Sequence, residues 1–194
     1  MRIVGILLAA GEGARFGGGK LLARVPRTAY GVSAGTPIGA ASAMHLMAAL
    51  NDVVAIVRPR DAMLERALVS TGARVVPCER AAEGMGASIA CGVRECADAD
   101  GWIVALADMP WIAPTSIAAV ADAIRDGAEI AATHFEGKRG HPVGFSRKYG
   151  SLLASLTGDE GARSVIAARQ WALQLVEVDD PGILRDVDKP SDLV

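Results

Sequence analysis

"IVGILLAAGEGARFGGGK", residues Ile3 to Lys20, joins an apolar run to a glycine-rich loop that ends in a lysine. The run Ile3–Ala10 shows no alternation of apolar and polar residues, which predicts a strand covered on both faces. Five glycines follow between Gly11 and Gly19. A glycine-rich loop after a strand exposes backbone N–H groups, which bind phosphate well. The stretch therefore predicts a phosphate site at the carboxyl end of a buried first strand.

Similar apolar runs recur along the chain and alternate with helical patterns. Further strands are predicted at Val53–Val57, Arg74–Pro77 and Trp102–Ala107. The predicted helices run from Pro37 to Leu50, with Thr36 as the cap, and over Ala62–Ser70, Ala87–Cys96 and Pro114–Ile124. This β-α-β-α order is typical of a parallel sheet with helices on both faces.

The last third of the chain changes this rhythm. Glu129–Phe135 and His141–Ser146 flank the turn sequence EGKRG and predict a β-hairpin. The elements expected after it are helices near Ser151–Leu156 and Ala162–Trp171 and a final strand at Leu173–Val178. No repeat or low-complexity tract interrupts the sequence, so residues 1–194 are predicted to form a single α/β domain. Its mainly parallel sheet carries helices on both faces and a late β-hairpin.

Composition excludes several classes of protein. Hydrophobic residues make up 51% of the chain and charged residues 22%, which indicates a globular protein. The net charge of −2 argues against a general nucleic-acid binder. No apolar run approaches the roughly 20 residues of a membrane helix. The odd count of three cysteines, Cys78, Cys91 and Cys96, predicts reduced thiols in a cytoplasmic protein, with no spacing typical of a zinc site.

The glycine loop lies in a locally basic region. Between Gly13 and Asn51 the sequence has no Asp or Glu, and its cations are Arg15, Lys20, Arg24 and Arg27. Such a region in a mildly acidic protein favours a small anionic ligand. A solvated charged loop is the alternative interpretation of Arg15 and Lys20.

Two common phosphate loops do not fit. A P-loop requires a glycine where this chain has Ala14, and a Ser or Thr where it has Leu21. A dinucleotide fingerprint matches at Gly11 and Gly13, but Phe16 occupies the third glycine position.

A third kind of loop does fit: the chain resembles nucleotidyltransferases that share the pattern Leu-Ala-Ala-Gly-x-x-x-Arg-x-Gly-x-x-Lys. The matching residues here are Leu8, Ala9, Ala10, Gly11, Arg15, Gly17 and Lys20. Five later segments match in order: Gly84–Val93, Leu106–Pro110, Gly140–Phe145, Gly158–Arg163 and Asp186–Leu193. The most similar branch is that of molybdenum-cofactor cytidylyltransferases.

This resemblance implies a Rossmann-like fold and Mg²⁺-dependent transfer of CMP from CTP to the terminal phosphate of a molybdopterin-type cofactor. A molybdoenzyme is then a candidate recipient of the product. Guanylyl transfer and transfer to another phosphorylated acceptor remain alternatives. So does a non-catalytic accessory protein that binds a nucleotide or cofactor.

The resemblance also assigns roles to residues in the loop. Leu8, Ala9 and Ala10 belong to the nucleotide-binding motif. Gly11, Gly13 and Gly17 allow the backbone to approach the phosphates, and Arg15 and Lys20 neutralise them.

Candidate metal ligands are carboxylates near strand ends. Asp108 ends an apolar strand, where an acid is costly unless it is paired or bound to metal, and ligands of parallel sheets bind at such ends. Asp188 is the second candidate, with Asp186 as its competitor. A turn residue before Pro190 is the alternative for Asp188.

Three further residues are assigned by resemblance. Gly86 and Ser88 contact the base and ribose, although a helix start with a capping serine also explains them. His141 faces the second substrate, or is a structural histidine of the hairpin. Asp159 and Arg163 lie in the matching segment Gly158–Arg163, and an ion pair along a helix is the alternative to a functional role for them.

The chain departs from the family at Leu21–Ala34, which is longer than the pattern predicts. Arg24 and Arg27 lie in this segment, so the acceptor pocket does not follow from the resemblance. The alternative interpretation is a tolerated surface insertion.

Overall fold

The computed structural model describes residues 1–11, 13 and 16–193. In this part of the chain a 7-stranded sheet has the order β3-β2-β1-β4-β6-β5-β7. The strands are β1 (Ile3–Leu8), β2 (Val53–Val57), β3 (Arg74–Pro77), β4 (Gly101–Leu106), β5 (Ile130–Phe135), β6 (Lys138–Ser146) and β7 (Leu173–Glu177). Of these described strands, only β6 runs antiparallel to its neighbours, β4 and β5. The predicted late hairpin is the β5–β6 pair, which includes Phe135 opposite Lys138.

Helices cover both faces of the sheet. They are α1 (Ile38–Ala49), α2 (Ala62–Val69), α3 (Met85–Glu95), α4 (Pro114–Arg125), α5 (Gly150–Ala154) and α6 (Arg163–Ala167). One hydrophobic cluster joins the sheet to α1, α2 and α4. The other joins it to α3, α5 and α6. The predicted fold class is therefore confirmed: a mainly parallel α/β sheet with helices on both faces.

Alternate residues of β1 belong to different clusters, which explains its uniformly apolar sequence. Ile3 and Leu7 face the α1 side, whereas Val4 and Ile6 face the α3 side. Each of these four side chains is at most 6% exposed. A strand between two helical layers needs an apolar side chain in both directions.

Some element boundaries differ from those predicted. Helix α1 begins at Ile38, because Pro37 has an extended ψ of 141°. The Thr36 hydroxyl donates to the Ser33 carbonyl at 2.8 Å and does not cap the helix. Such local bonds are an ordinary competitor of helix capping. Helix α3 begins two residues early, at Met85, and α6 ends at Ala167, well before the predicted Trp171.

The long segment Leu21–Ala34 contains a tight hairpin. Ala29 and Val32 exchange two backbone hydrogen bonds of 3.0 and 2.9 Å around Tyr30 and Gly31. Both central residues have positive φ, 48° and 82°, as in the two-residue turns favoured by hairpins. Val25 and Val32 are each 3% exposed, so the segment is packed into the core.

The remaining general predictions concern membranes and cysteines. Among the described residues, none of the helices is long and apolar enough to cross a bilayer. Cys78, Cys91 and Cys96 are free. Burial raises the pKa of Cys91 to about 12, so this thiol is protonated at neutral pH.

Candidate active site

The glycine loop has a backbone that side chains would strain. Gly17, Gly18 and Gly19 have φ values of 88°, 94° and 65°, in the left-handed region that glycine adopts at little cost. Gly19 precedes a 3-10 turn, Lys20–Leu22. The loop therefore turns sharply and delivers Lys20 back to the carboxyl edge of the sheet. Arg15, which the sequence assigns to the phosphates, lies outside the described residues.

Lys20 lies between the two carboxylates predicted to bind metal. Its Nζ is 2.6 Å from Asp108 Oδ2 and 3.8 Å from Asp188 Oδ1. The Lys20 side chain is 12% exposed, that of Asp108 24% and that of Asp188 41%. Partial burial strengthens the electrostatic interaction relative to an exposed pair. Asp186 is exposed and forms no ion pair with a described residue.

The C-terminal segment brings Asp188 to this position. The Val187 backbone N–H donates to the carbonyl oxygen of Asp108 at 2.9 Å. The Asp192 carboxylate accepts from the backbone N–H groups of Asp188 and Lys189 at 2.9 and 2.7 Å. These bonds lower the pKa of Asp192 and keep it charged. The segment is therefore fixed to the end of β4.

The donor set suits a hard divalent cation that also binds substrate. Within the described residues, no group of three or more His, Cys, Asp or Glu side chains is placed to hold a metal. Mg²⁺ typically takes one or two carboxylates and completes its shell with phosphate oxygens and water. Asp108 and Asp188 supply that number of carboxylates beside a loop suited to phosphates.

Two cavities adjoin each other near the end of β4, and Asp108 lines one of them. The loop-side cavity, about 470 Å³, is lined by residues that include Leu8, Ala10, Gly11, Ser88 and Asp108. The hairpin-side cavity, about 330 Å³, is lined by a partly different set that includes Arg139, His141, Glu160 and Arg163. They share a wall formed by Leu8, Met85, Leu106 and Asp159. Two ligands could therefore lie side by side across this wall, with Asp108 beside the loop-side ligand.

Four of the predicted nucleotide-binding residues line none of the cavities formed by the described residues: Ala9, Gly13, Gly17 and Gly86. Two of these four are held in the fold by backbone hydrogen bonds. Ala9 is 3% exposed and packs in the α1-side core, and its backbone N–H donates to the Ile56 carbonyl at 2.9 Å. Gly86 packs against the segment before α6, where its N–H donates to the Gly158 carbonyl at 2.8 Å. The geometry of both residues indicates a structural role.

Gly86→Ala is expected to lower the free energy of unfolding by about 1–3 kcal/mol, the usual cost of overpacking. A Cβ at Gly86 would lie 2.5 Å from the Thr157 carbonyl oxygen. Gly11→Ala is the matched control, because no atom of the described residues lies within 4 Å of a Cβ there. Urea denaturation of both variants measures the difference. Equal stabilities would contradict the packing role of Gly86.

His141 has an unsatisfied ring nitrogen. Its backbone carbonyl accepts from the Thr133 hydroxyl at 2.9 Å, but its Nδ1 is buried without a hydrogen-bond partner among the described residues. Burial lowers the pKa of His141 and favours the neutral ring. An unpaired buried nitrogen costs free energy, which a ligand in the hairpin-side cavity could recover. The structure thus does not bear out a fully satisfied hairpin histidine.

Asp159 and Arg163 also differ from their alternative interpretation. These two described residues form no ion pair with each other, and α6 begins only at Arg163. Both side chains instead line the hairpin-side cavity.

The sequence did not single out Arg58. This residue follows the end of β2, and its Nε donates to the Ala10 carbonyl at 2.6 Å. Arg58 lines the loop-side cavity and a neighbouring cavity of about 380 Å³ beside Lys20. Its position directly after a parallel strand was the available signal, because ligand sites of such sheets gather at strand carboxyl ends.

Known proteins resemble the chain over nearly its full length. It is 29% identical over 203 residues to the purine catabolism protein PucB of Bacillus subtilis, covering 98% of this chain and 93% of that protein. It is 27% identical to the nicotine blue oxidoreductase of Paenarthrobacter nicotinovorans, covering 96% and 92%. The crystal structure of Rv0371c from Mycobacterium tuberculosis H37Rv has a TM-score of 0.81 and 26% identity, covering 99% and 95%.

The model of the family described as "MobA-like NTP transferase domain" matches residues 5–175. This span includes the glycine loop, Asp108 and both cavities. The enzyme class predicted from the sequence, a nucleotidyltransferase, is thereby confirmed. The chain belongs to the family of MobA-like NTP transferase domains.

Proposed function

We propose that this enzyme transfers CMP from CTP to the terminal phosphate of a molybdopterin-type cofactor, with Mg²⁺ as its metal. The observation that carries this proposal is the cluster of Lys20, Asp108 and Asp188, in which Asp108 lines the loop-side one of two adjoining cavities. One cavity adjoins the glycine loop and suits the nucleotide. The other is lined by Arg139 and Arg163 as well as Asp159 and Glu160, and its two guanidiniums suit a phosphorylated acceptor.

The residues of the chain act by binding and positioning. Backbone N–H groups of the glycine loop and the ammonium of Lys20 bind the triphosphate. The acceptor phosphate oxygen attacks the α-phosphorus, a new P–O bond forms, and the bond to pyrophosphate breaks. No protein nucleophile is required, since positioning and charge neutralisation account for such transfers. Asp108 and Asp188 would hold the divalent cation, which supplies neutralisation of the phosphate charge.

The hairpin-side cavity supports an acceptor that is both anionic and partly apolar. Arg139 and Arg163 supply cations, and neither is paired with an acid of the described chain. Ile89, Val104 and Phe145 supply an apolar wall. Guanidinium groups suit phosphate because they donate in a planar fork.

The relatives support some parts of this proposal and suggest an alternative. Rv0371c has also been solved as a complex with manganese, with a TM-score of 0.75 and 25% identity to this chain. That complex supports a divalent metal here. Another relative is named an oxidoreductase, so redox chemistry is the second candidate function. The pair of carboxylates at Lys20 favours nucleotidyl transfer, because hydride transfer has no need of them.

The decisive assay incubates the protein with each of the four nucleoside triphosphates, Mg²⁺ and molybdenum cofactor, and measures pyrophosphate. Pyrophosphate release that requires CTP, cofactor and metal together is expected. Release that occurs with GTP and not with the other three triphosphates would assign guanylyl transfer. Binding of nucleotide without release would assign an accessory role and contradict the proposed reaction.

The preference for CTP is expected to be about ten- to two-hundredfold over GTP in kcat/KM, the range that one methylene can supply in a pocket. Members of the family that use GTP have a first motif similar to Leu-Ala-Gly-Gly, whereas this chain has Ala10 before Gly11. Ala10 is 6% exposed and lines the loop-side cavity. Its methyl group could crowd a purine, because a close-packed wall is sensitive to a single carbon.

Ala10→Gly is therefore expected to lower the ratio of kcat/KM for CTP to kcat/KM for GTP, because it makes room for the purine. The measurement is kcat/KM for both nucleotides with one acceptor, in both proteins. A wild-type preference for GTP would reject cytidylyl transfer. An unchanged ratio in the variant would remove Ala10 as the cause of the preference.

A further inference from the structure

Two arginines lie against one buried tryptophan, on the α1 side of the sheet. Trp111 is 7% exposed. The guanidinium carbon of Arg27 is 5.2 Å from its ring centroid, and that of Arg185 is 5.6 Å away. Both distances are within the range of a cation–π interaction. Together with Tyr30 and Asp180 these residues line a small cavity of about 150 Å³, here called the Arg–Trp cavity.

Neither guanidinium has an acidic partner in the described part of the chain. Some other exposed arginines do pair with a carboxylate, as Arg80 does with Glu83 at 2.6 Å. A guanidinium stacked on a ring keeps its N–H groups in its own plane, so they remain able to bind a second group. Arg27 and Arg185 therefore present donors without a bound acceptor.

The Asp180 carboxylate in the cavity wall already accepts hydrogen bonds from three neighbouring groups. This residue is 3% exposed, and its oxygens accept from the Ala113 N–H at 2.8 Å, the Ser116 hydroxyl at 2.7 Å and the Gly182 N–H at 2.9 Å. Three donors of this kind stabilise a buried carboxylate. Asp180 thus adds one negative charge to the wall, and the two arginines leave the lining with a net positive charge.

Tyr30 adds a polar group at unusual backbone cost. Its φ of 48° lies in the left-handed region, which is uncommon for an aromatic residue. Its ring meets that of His45 edge-on, with centroids 5.6 Å apart. Burial and the charge of Asp180 raise the pKa of Tyr30, so its hydroxyl keeps its proton and can donate. The hairpin thus holds a hydrogen-bond donor at the cavity.

We propose that the Arg–Trp cavity is a second anion-binding site, which takes a single phosphate or carboxylate group of a small molecule. Its volume suits one such group and not a nucleotide. Two unpaired guanidiniums of the described chain and a phenol provide the charge-assisted hydrogen bonds that such groups require. This site is separate from the loop-side and hairpin-side cavities, and the inference does not depend on the proposed transfer reaction.

The same three chain segments carry this site and the Lys20 cluster. Arg27 follows Lys20 by seven residues, Trp111 follows Asp108 by three, and Arg185 precedes Asp188 by three. A bound anion would therefore hold segments that also position the candidate metal ligands. Any effect of that anion on nucleotide affinity must be matched by an equal effect of nucleotide on anion affinity.

The test is a titration with inorganic phosphate, followed through the indole N–H signal of Trp111 in two-dimensional NMR and assigned with Trp111→Phe. The Lys20→Met background weakens phosphate binding at the glycine loop. We expect a saturable shift in that background, with Kd raised at least about tenfold by Arg27→Gln or Arg185→Gln, because each change removes a charged donor. Arg66→Gln, an exposed arginine of α2, is the matched control and should leave Kd unchanged.

Two results would overturn the site. One is a Trp111 shift that persists with unchanged Kd in both arginine variants. The other is a shift that disappears in Lys20→Met, which would place the phosphate at the glycine loop only. Neither measurement needs catalysis, so failure here and failure of the proposed transfer are distinguishable.

A kinetic experiment then identifies the source of the anionic group. If the group belongs to the acceptor, Arg185→Gln raises the acceptor KM and phosphate competes with the acceptor. If it is a free anion, the acceptor KM is unchanged and phosphate alters the nucleotide KM. Either result is consistent with the site and assigns its ligand.

Discussion

Asp108→Asn is expected to lower kcat/KM by at least about a hundredfold, because loss of a metal carboxylate removes several kcal/mol of transition-state stabilisation. The substitution keeps the size of the side chain and removes its charge. Asp108 is the carboxylate closest to Lys20, at 2.6 Å, and its backbone carbonyl anchors the C-terminal segment through Val187. Because the substitution leaves that backbone bond in place, the fold should be retained.

The measurement is pyrophosphate release at saturating metal, together with circular dichroism and a thermal transition. Asp186→Asn is the matched control, since Asp186 is exposed and lies in the same segment as Asp188. It should retain nearly the full rate. A wild-type rate in Asp108→Asn, with an intact fold, would contradict the metal assignment.

Most of the fold was predictable because the pattern of apolar residues in a strand indicates whether one or both of its faces are covered. β1 is apolar at successive positions, and the structure places Ile3 and Val4 in opposite clusters. Such a strand requires helices on both faces, and the intervening helical patterns supply them. The boundary errors come from local competition. The Thr36 hydroxyl bonds to Ser33, an outcome that residue type alone does not decide.

The site was predictable where the residue type itself indicates the chemistry, as a lysine in a phosphate loop or an acid at a strand end does. Lys20 and Asp108 are 88 positions apart, yet strand ends of a parallel sheet gather at one edge and bring them together. The roles of Gly86 and Arg58 were not predictable in this way. Gly86 must lack a side chain, because the backbone of residues 157 and 158 occupies the space that a Cβ would take. Arg58 bonds a backbone carbonyl that carries no sequence signal.

Lys20→Met should weaken the binding of CTP by about a hundredfold, and that of CMP much less. The ammonium is expected to contact the phosphate chain beyond the α-phosphate, and a charge-assisted bond in a partly buried site is strong. The Lys20 side chain is only 12% exposed, so water does not fully screen its charge. Methionine keeps the length and apolar stem of the side chain. Calorimetric titration with each nucleotide measures both affinities.

The same variant should bind the metal more tightly in the absence of nucleotide. Lys20 Nζ lies 2.6 Å from Asp108 and 3.8 Å from Asp188, so in the free enzyme the ammonium competes with a cation for both carboxylates. Removing it leaves two like charges that a divalent ion can neutralise. Mn²⁺ titration followed by electron paramagnetic resonance should therefore give a lower Kd in Lys20→Met than in the wild type.

These opposite signs separate the proposed role of Lys20 from simple damage to the loop. A disordered loop would weaken CTP and CMP equally and would leave Mn²⁺ affinity unchanged or reduced. Lys20→Arg is the matched control, because it retains the charge and should keep Mn²⁺ affinity close to that of the wild type. If Mn²⁺ and CTP affinities instead fall together in Lys20→Met, Lys20 is a structural element of the loop. Its contact with Asp108 would then be an ordinary ion pair.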